Sequence, residues 1–216
     1  MKPAPGTRHG RRRVPAEDVC DDLDTGHVDW SDIPPPRDII RARRDGHLVR
    51  IPKPVLVIDS GESRCGYTFE RFSKWIAGSE QRRLTDGDYS VKGLERVVTI
   101  ERKSPADAVS SVMPPIRATF LKRCRRMARY TRHAIVIEAS YAAMRSSYEA
   151  FTESQAHPNA VVGSYLAIQE RWGIPVHFID NPELAEEFVA HLLTKFYVRR
   201  WLQTAGLGDH FQDGDI

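Results

Sequence analysis

The chain reads as an α/β protein, a three-layer sandwich with a central mixed β-sheet. Three observations predict this. Short apolar runs of strand length alternate with stretches of helical periodicity. One run, Ala134 to Glu138, is apolar up to its last residue and bounded by charge, as a strand covered on both faces must be. Ser104-Pro105 and Gly173 stand where helices in that alternation should begin and end.

Taken in order, Pro54 to Ile58 predicts a short buried strand. Tyr67, Phe69, Phe72, Trp75 and Ile76 follow at near-helical spacing and predict a helix. Arg83 to Val91 and Val97 to Arg102 are the two central strands, joined by a bend at Lys92-Gly93. Ser104 then caps a helix with Pro105 at its first position, where the missing N–H would have no partner anyway. Residues 117 to 132 form a second helix, with Phe120, Leu121, Cys124, Met127 and Ala128 on its packing face. Beyond the strand Ala134 to Glu138, residues 140 to 157 read as an irregular segment beside the cleft. Asn159 to Trp172 is an amphipathic helix stopped by Gly173, Pro175 to Ile179 a strand, and Pro182 to about Gln203 a final long helix. The order β-α-β-β-α-α-β-α-β-α is that of helices on both sides of a sheet.

With 216 residues, 41% hydrophobic and 28% charged, the chain has the make-up of one ordinary globule carrying a tail. No apolar run approaches the roughly 18 residues of a membrane span, so no membrane partner is expected. The basic start, Met1 to Arg13, leads into no apolar segment, unlike a secretory signal. Cys20, Cys65 and Cys124 are odd in number and lack Cys-x-x-Cys spacing, which reads as reduced thiols in a cytoplasmic setting. None of the eight histidines falls at ligand spacing with a cysteine, so a structural zinc site is not expected.

Residues 1–50 read as a flexible extension. Lys2, Arg8, Arg11, Arg12 and Arg13 come first, then seven acids between positions 17 and 32 without a Lys or Arg. Its arginines suit either nucleic acid phosphates or a solubilising role. The folded domain is placed at 51–205 and a short tail at 206–216.

The chemistry gathers around Glu101-Arg102-Lys103, which closes the apolar run Val97 to Ile100. Alternate side chains of a strand share a face, so Glu101 and Lys103 point together into a cleft while Arg102 faces away. Asp88, from the neighbouring strand, brings a second carboxylate. Two carboxylates can hold Mg²⁺, with Mn²⁺ as a substitute. Phosphodiester hydrolysis needs such an ion to neutralise phosphoryl charge and activate water, and a cation such as Lys103 nearby.

Residues 117 to 132 carry Arg117, Lys122, Arg123, Arg125, Arg126, Arg129 and Arg132 with no acid. Charged helix faces ordinarily mix signs, because like charges three and four apart repel. A polyanion would relieve that repulsion, and a DNA backbone is the expected partner, contacted by Arg117, Lys122, Arg123, Arg125, Arg126 and Arg129. On the last helix, Phe196, Tyr197, Val198, Trp201 and Leu202 are more apolar surface than one helix end normally buries, which predicts a homodimer or partner-protein contact there. Tyr89 reads as core, Asp86 as a turn residue in Thr85-Asp86-Gly87, and Glu138 as a capping or surface carboxylate outside the site.

Gly87-Asp88-Tyr89 followed by Ile100-Glu101-Arg102-Lys103-Ser104-Pro105-Ala106-Asp107 resembles the signature of the XPF-type structure-specific endonuclease domains, the XPF/Hef family within the PD-(D/E)XK class. Val57-Ile58-Asp59-Ser60-Gly61-Glu62 is similar to that family's V-D-x-R-E segment, with Gly61 in place of its arginine, and Arg117 stands where the family has a G-R-F/L segment. The resemblance covers roughly residues 54 to 197. It implies a restriction-endonuclease-like fold and a Mg²⁺-dependent endonuclease acting on branched, flapped or forked DNA. It further implies Asp88 and Glu101 as metal ligands, joined by the carbonyl of Arg102, with Asp59, Glu62 and Asp107 as outer carboxylates or ligands of a second ion. Lys103 would act on the attacking water or the transition state, and Arg102 would be essential in a role the resemblance does not fix. The competing reading is a catalytically silent DNA-binding scaffold, against which stands the retention of every carboxylate and the lysine.

Overall fold

The computed structural model describes residues 40–44, 47–62, 66–148, 152 and 154–206. Residues 1–39 of the expected extension and 207–216 of the expected tail lie outside the described residues. Within the span expected as extension, β1 (Ile40–Arg44) and β2 (His47–Ile51) form an antiparallel pair.

The remaining strands form one six-stranded sheet: β3 (Val55–Asp59), β4 (Gly78–Arg82), β5 (Tyr89–Val91), β6 (Val98–Lys103), β7 (Arg132–Ile137) and β8 (Val176–Phe178). Their spatial order is β4-β3-β5-β6-β7-β8. β5 runs antiparallel to both β3 and β6, whereas β3–β4, β6–β7 and β7–β8 are parallel, so the sheet is mixed as expected.

The helices are α1 (Pro105–Ser111), α2 (Arg117–Met127), α3 (Tyr141–Met144), α4 (Pro158–Trp172) and α5 (Pro182–Thr204). Their ends follow the cap chemistry read from the sequence. The Ser104 hydroxyl accepts the Asp107 amide ahead of Pro105, and Gly173 closes α4 in the left-handed conformation at φ 66°.

The pleat sorts the core into two layers. Ala134 and Val136 of β7 pack with α5 residues such as Ala185, Val189 and Leu193, while Ile135 and Ile137 pack with Val109 of α1, Phe120 of α2 and Tyr165 of α4. Every residue of β7 from Ala134 to Ile137 is therefore buried, from one side or the other.

Three expectations need correction. The aromatic run after Gly66 is no α-helix; it holds a single 3-10 turn, Glu70–Phe72. The Glu186 carboxylate of α5 accepts the amides of Thr68 and Phe69, and Phe69 sits at φ 60°, so this backbone is pinned in a loop before a helix can start. Its aromatic rings still pack on the core, which produced the helix-like spacing.

The strand expected over Arg83 to Val91 is reduced to Tyr89–Val91. Asp59 accepts the Leu84 amide and Thr99 donates to the Asp86 carbonyl, both at 2.7 Å, so side chains rather than a ladder hold residues 83–87. The sheet gains β4 instead, a polar edge strand whose charges discourage further pairing.

The end of α5 is less available to a partner than expected. Tyr197, Val198 and Leu202 are buried, and Phe196 and Trp201 pack against the core. Among the described residues no helix is long and apolar enough to cross a membrane.

Candidate functional site

The topology collects the chemistry-bearing residues at one end of the sheet. The C-terminal ends of β3, β4, β6 and β7 lie beside the N-terminal end of β5, which brings Asp59, Arg83, Asp88, Lys103 and Glu138 to the same edge. Backbone bonds lock the junction: the Asp59 amide donates to the Asp88 carbonyl and the Asp88 amide to the Ile100 carbonyl, both at 2.8 Å. Gly87 is required here. Its φ is 73°, and a Cβ would lie 2.9 Å from the Ile100 carbonyl oxygen and collide with the Thr99 hydroxyl.

Alternation then divides the residues between two faces. Leu56, Ile58, Tyr89, Val91, Val98 and Ile100 face α5, so their neighbours Asp59, Asp88, Glu101 and Lys103 face α2.

On the α2 face, Glu101 is fully buried. Its Oε1 receives Lys103 Nζ at 2.8 Å and Arg123 Nη1 at 2.7 Å, while its Oε2 is buried without a hydrogen-bond partner. Asp88 Oδ2 accepts the Arg102 amide at 2.7 Å. Burial, then the charges of Glu101 and Glu62, push the Asp88 carboxyl well above the ordinary carboxylate range; the Arg102 amide and Lys103 only partly oppose this. The same Glu101 charge raises the Arg123 guanidinium. Lys103 is held over the Phe120 ring, 5.0 Å from its centroid. Beneath α2, burial and then Glu101 push the Cys124 thiol up to about 12.

This donor set fits a divalent cation. Glu101 Oε2, buried and without a hydrogen-bond partner next to the Asp88 carboxylate, is a ligand atom that a cation would complete. Among the described residues no three His, Cys, Asp or Glu side chains converge, so an ion here would have two side-chain ligands. Mg²⁺ is commonly bound that way, completing its shell with water and phosphate oxygens.

The α5 face differs. Arg102 Nε and Nη2 make a two-pronged pair with Glu138 at 2.7 and 2.9 Å, and Nη1 binds Glu62 at 2.8 Å. The Tyr67 ring lies 5.3 Å from the guanidinium carbon, and the Tyr89 hydroxyl reaches Glu62 at 3.3 Å. Burial works against the Arg102 charge, but the pairing with Glu138 and Glu62 more than offsets it and raises its pKa. Glu138, expected as a surface or capping group, is buried and is the principal partner of Arg102. Its charge sits at a strand end, as a solvent-facing group would; the parallel pairing of β6 with β7, which sets Arg102 across from Val136, brings Glu138 two residues further on, on the same face, within reach of the Arg102 side chain. A cleft of about 450 Å³ also opens on this face, lined by Glu62, Glu70 and Glu80, acidic walls that do not suit a phosphate chain.

The other candidates lie around this centre. Both Asp59 oxygens are engaged, Oδ1 by the Leu84 amide and Oδ2 by the Gly61 amide at 2.9 Å and Arg83 Nη1 at 3.2 Å. Asp107 is exposed and accepts the Ser104 hydroxyl at 2.8 Å. On α2 the expected uniform cationic face needs correction, because acids from other elements meet it. Arg123 pairs with Glu101 and Arg126 with Asp86 at 2.7 Å, and Arg117 binds the Val112 carbonyl and the Ser164 hydroxyl. Lys122, Arg125 and Arg129 remain exposed. Asp86, expected as a turn residue, is thus also a buried ion-pair anchor for α2.

A family profile described as the ERCC4 domain matches residues 50–192. No curated protein sequence matches the chain. Among solved structures it is similar to XPF from Aeropyrum pernix, with 18% identity and a TM-score of 0.51 over 66% of this chain and 61% of that one. It is also similar to XPF from Aeropyrum pernix in complex with DNA, with 20% identity and a TM-score of 0.49 over 66% of each chain. The chain thus spans about two thirds or less of these structures. The first likeness establishes a shared fold, the restriction-endonuclease-like α/β sandwich expected from the sequence.

Proposed function

The chain belongs to the ERCC4 domain family, the XPF-type nuclease domains, and from that premise we propose that it is a metal-dependent endonuclease hydrolysing phosphodiester bonds of branched, flapped or forked DNA. The observation that carries this reading is the α2 face of β6: buried Glu101 with one oxygen unpartnered, Asp88 beside it, and Lys103 at 2.8 Å.

Asp88 and Glu101, joined by the carbonyl of Arg102, would hold Mg²⁺ or Mn²⁺. Such an ion, when bound, supplies charge neutralisation at the phosphoryl oxygens and a more acidic water. Lys103, fixed between Glu101 and the Phe120 ring, orients the attacking water or stabilises charge in the transition state. The Arg102 amide fixes the rotation of Asp88, while its side chain ties the ends of β6 and β7 together through Glu138. Glu62 anchors Arg102 from the other side, and its charge is also felt at Asp88. Asp59 braces the loop that leads to Asp88, and Asp107 is an outer carboxylate at the start of α1. Lys122, Arg125 and Arg129 contact the DNA backbone from α2, and Arg123, Arg126 and Arg117 lie at the margin of the same surface.

End-labelled flap, fork, Holliday and linear duplex DNA incubated with Mg²⁺ test this reading. Metal-dependent cutting, lost in Asp88→Asn and Lys103→Ala, supports it and names the preferred branch. Intact protein that shifts branched DNA but cuts nothing would replace the enzyme by a silent scaffold.

A further inference from the structure

We propose that Arg83 is a phosphate-contacting residue of this site, standing in the space that the glycine at position 61 leaves open; the inference rests on the nuclease reading above. A Cβ built on Gly61 would lie 2.5 Å from Arg83 Nη1 and 2.8 Å from Asp59 Oδ2. A side chain at 61 and the Arg83 guanidinium therefore compete for one place, and this chain fills it from position 83. The backbone at Gly61 lies outside the left-handed region, so its conformation alone does not demand glycine. What a side chain would meet there is the Arg83 guanidinium, together with the Asp59 oxygen that holds it.

The position suits a substrate contact. Arg83 follows β4 at the sheet end where Asp88 and Lys103 also lie, and its partner Asp59 points to the same face as Asp88 and Glu101. Among the described residues its ion pair is with Asp59 alone, at 3.2 Å, and its side chain is 75% exposed, against 12% for Lys103 and 41% for Arg123. The weakly held, exposed cation is the one that can turn to a phosphate at least cost. A guanidinium also keeps donors for a two-pronged phosphate contact while Asp59 restrains it. Asp59 accordingly acts as a bracket for Arg83 and Leu84, a positioning residue.

The test is binding of a fluorescein-labelled fork duplex in Ca²⁺, read by anisotropy across a salt series, with cleavage in Mg²⁺ measured alongside. Arg83→Ala should weaken binding about tenfold at low salt and lower the slope of log affinity against log salt by about 1. Moving the guanidinium back, in the double variant Gly61→Arg/Arg83→Gly, should recover most of both. Arg199→Ala, which removes an exposed cation on α5, should change neither. Thermal melts confirm that each variant folds. Wild type that binds the fork while Arg83→Ala matches it in affinity and slope would overturn the Arg83 contact and leave the nuclease reading standing, as would a double variant no better than Arg83→Ala. Wild type that neither binds nor cuts would overturn both.

Discussion

The two faces of β6 each gather two carboxylates and treat them in opposite ways. Toward α5, Arg102 is enclosed by Glu138 and Glu62, and each of its nitrogens has a carboxylate. Toward α2, Glu101 crowds two cations onto one oxygen and leaves the other bare, while Asp88 is buried beside it with its charge disfavoured. A buried ion pair with its hydrogen bonds complete is a structural joint. A buried carboxylate pair with one oxygen left without any partner is a place prepared for something that arrives. Three consecutive residues thus serve two purposes because strand alternation sends them to different sides.

The largest effect should separate the faces by stability. Arg102→Ala strands the buried Glu138 and unpairs the half-buried Glu62, and should cost about 3–5 kcal/mol, read as a lower urea midpoint. Lys103→Ala, on the other face, should lower the midpoint less, because Arg123 keeps Glu101 paired, while lowering cleavage by about 100-fold or more. Equal destabilisation by the two would erase the distinction.

A subtler break is with pH. The folded Asp88 carboxyl holds its proton to higher pH than the unfolded one, so the folded state binds more protons between those two values. Its contribution is fully present below the ordinary carboxylate pKa of about 4 and is lost as pH rises from there through the raised folded value. Metal-free wild type should therefore lose stability over that range relative to Asp88→Asn, and saturating Mg²⁺ should remove the difference. Parallel melting curves for the two proteins without metal would contradict it.

The smallest effects lie on α2. Lys122→Ala, Arg125→Ala and Arg129→Ala should each lower the salt slope of DNA binding by about 1 without changing the melting temperature. Arg126→Ala should also lower the melting temperature, because Asp86 is buried behind it.

Much of this was legible in the sequence because it depends on local rules. The cap at Ser104-Pro105, the stop at Gly173 and the opposed directions of Glu101 and Arg102 follow from backbone geometry within a few residues. What was not legible depends on distant partners. Glu138 meets Arg102 only because β6 and β7 are parallel in one register. Asp86 and Glu101 neutralise part of α2 from separate elements, so a helix without acids is not an unpaired helix. The loop after Gly66 kept the spacing of a helix because its aromatic rings pack inward, while Glu186, more than a hundred residues away, captured its amides. Strand β4 lacked an apolar pattern because an edge strand has little to bury.

The thiol of Cys124 offers a clock for the motions of this site. It lies fully buried under α2, and its raised pKa keeps almost none of it as thiolate at neutral pH. A disulfide reagent can reach it only when the helix lifts from the sheet, carrying Arg123 away from Glu101. In a background with Cys20 and Cys65 changed to serine, the modification rate would count those openings, and any slowing by Mg²⁺ or DNA would measure how firmly each holds α2 against the sheet.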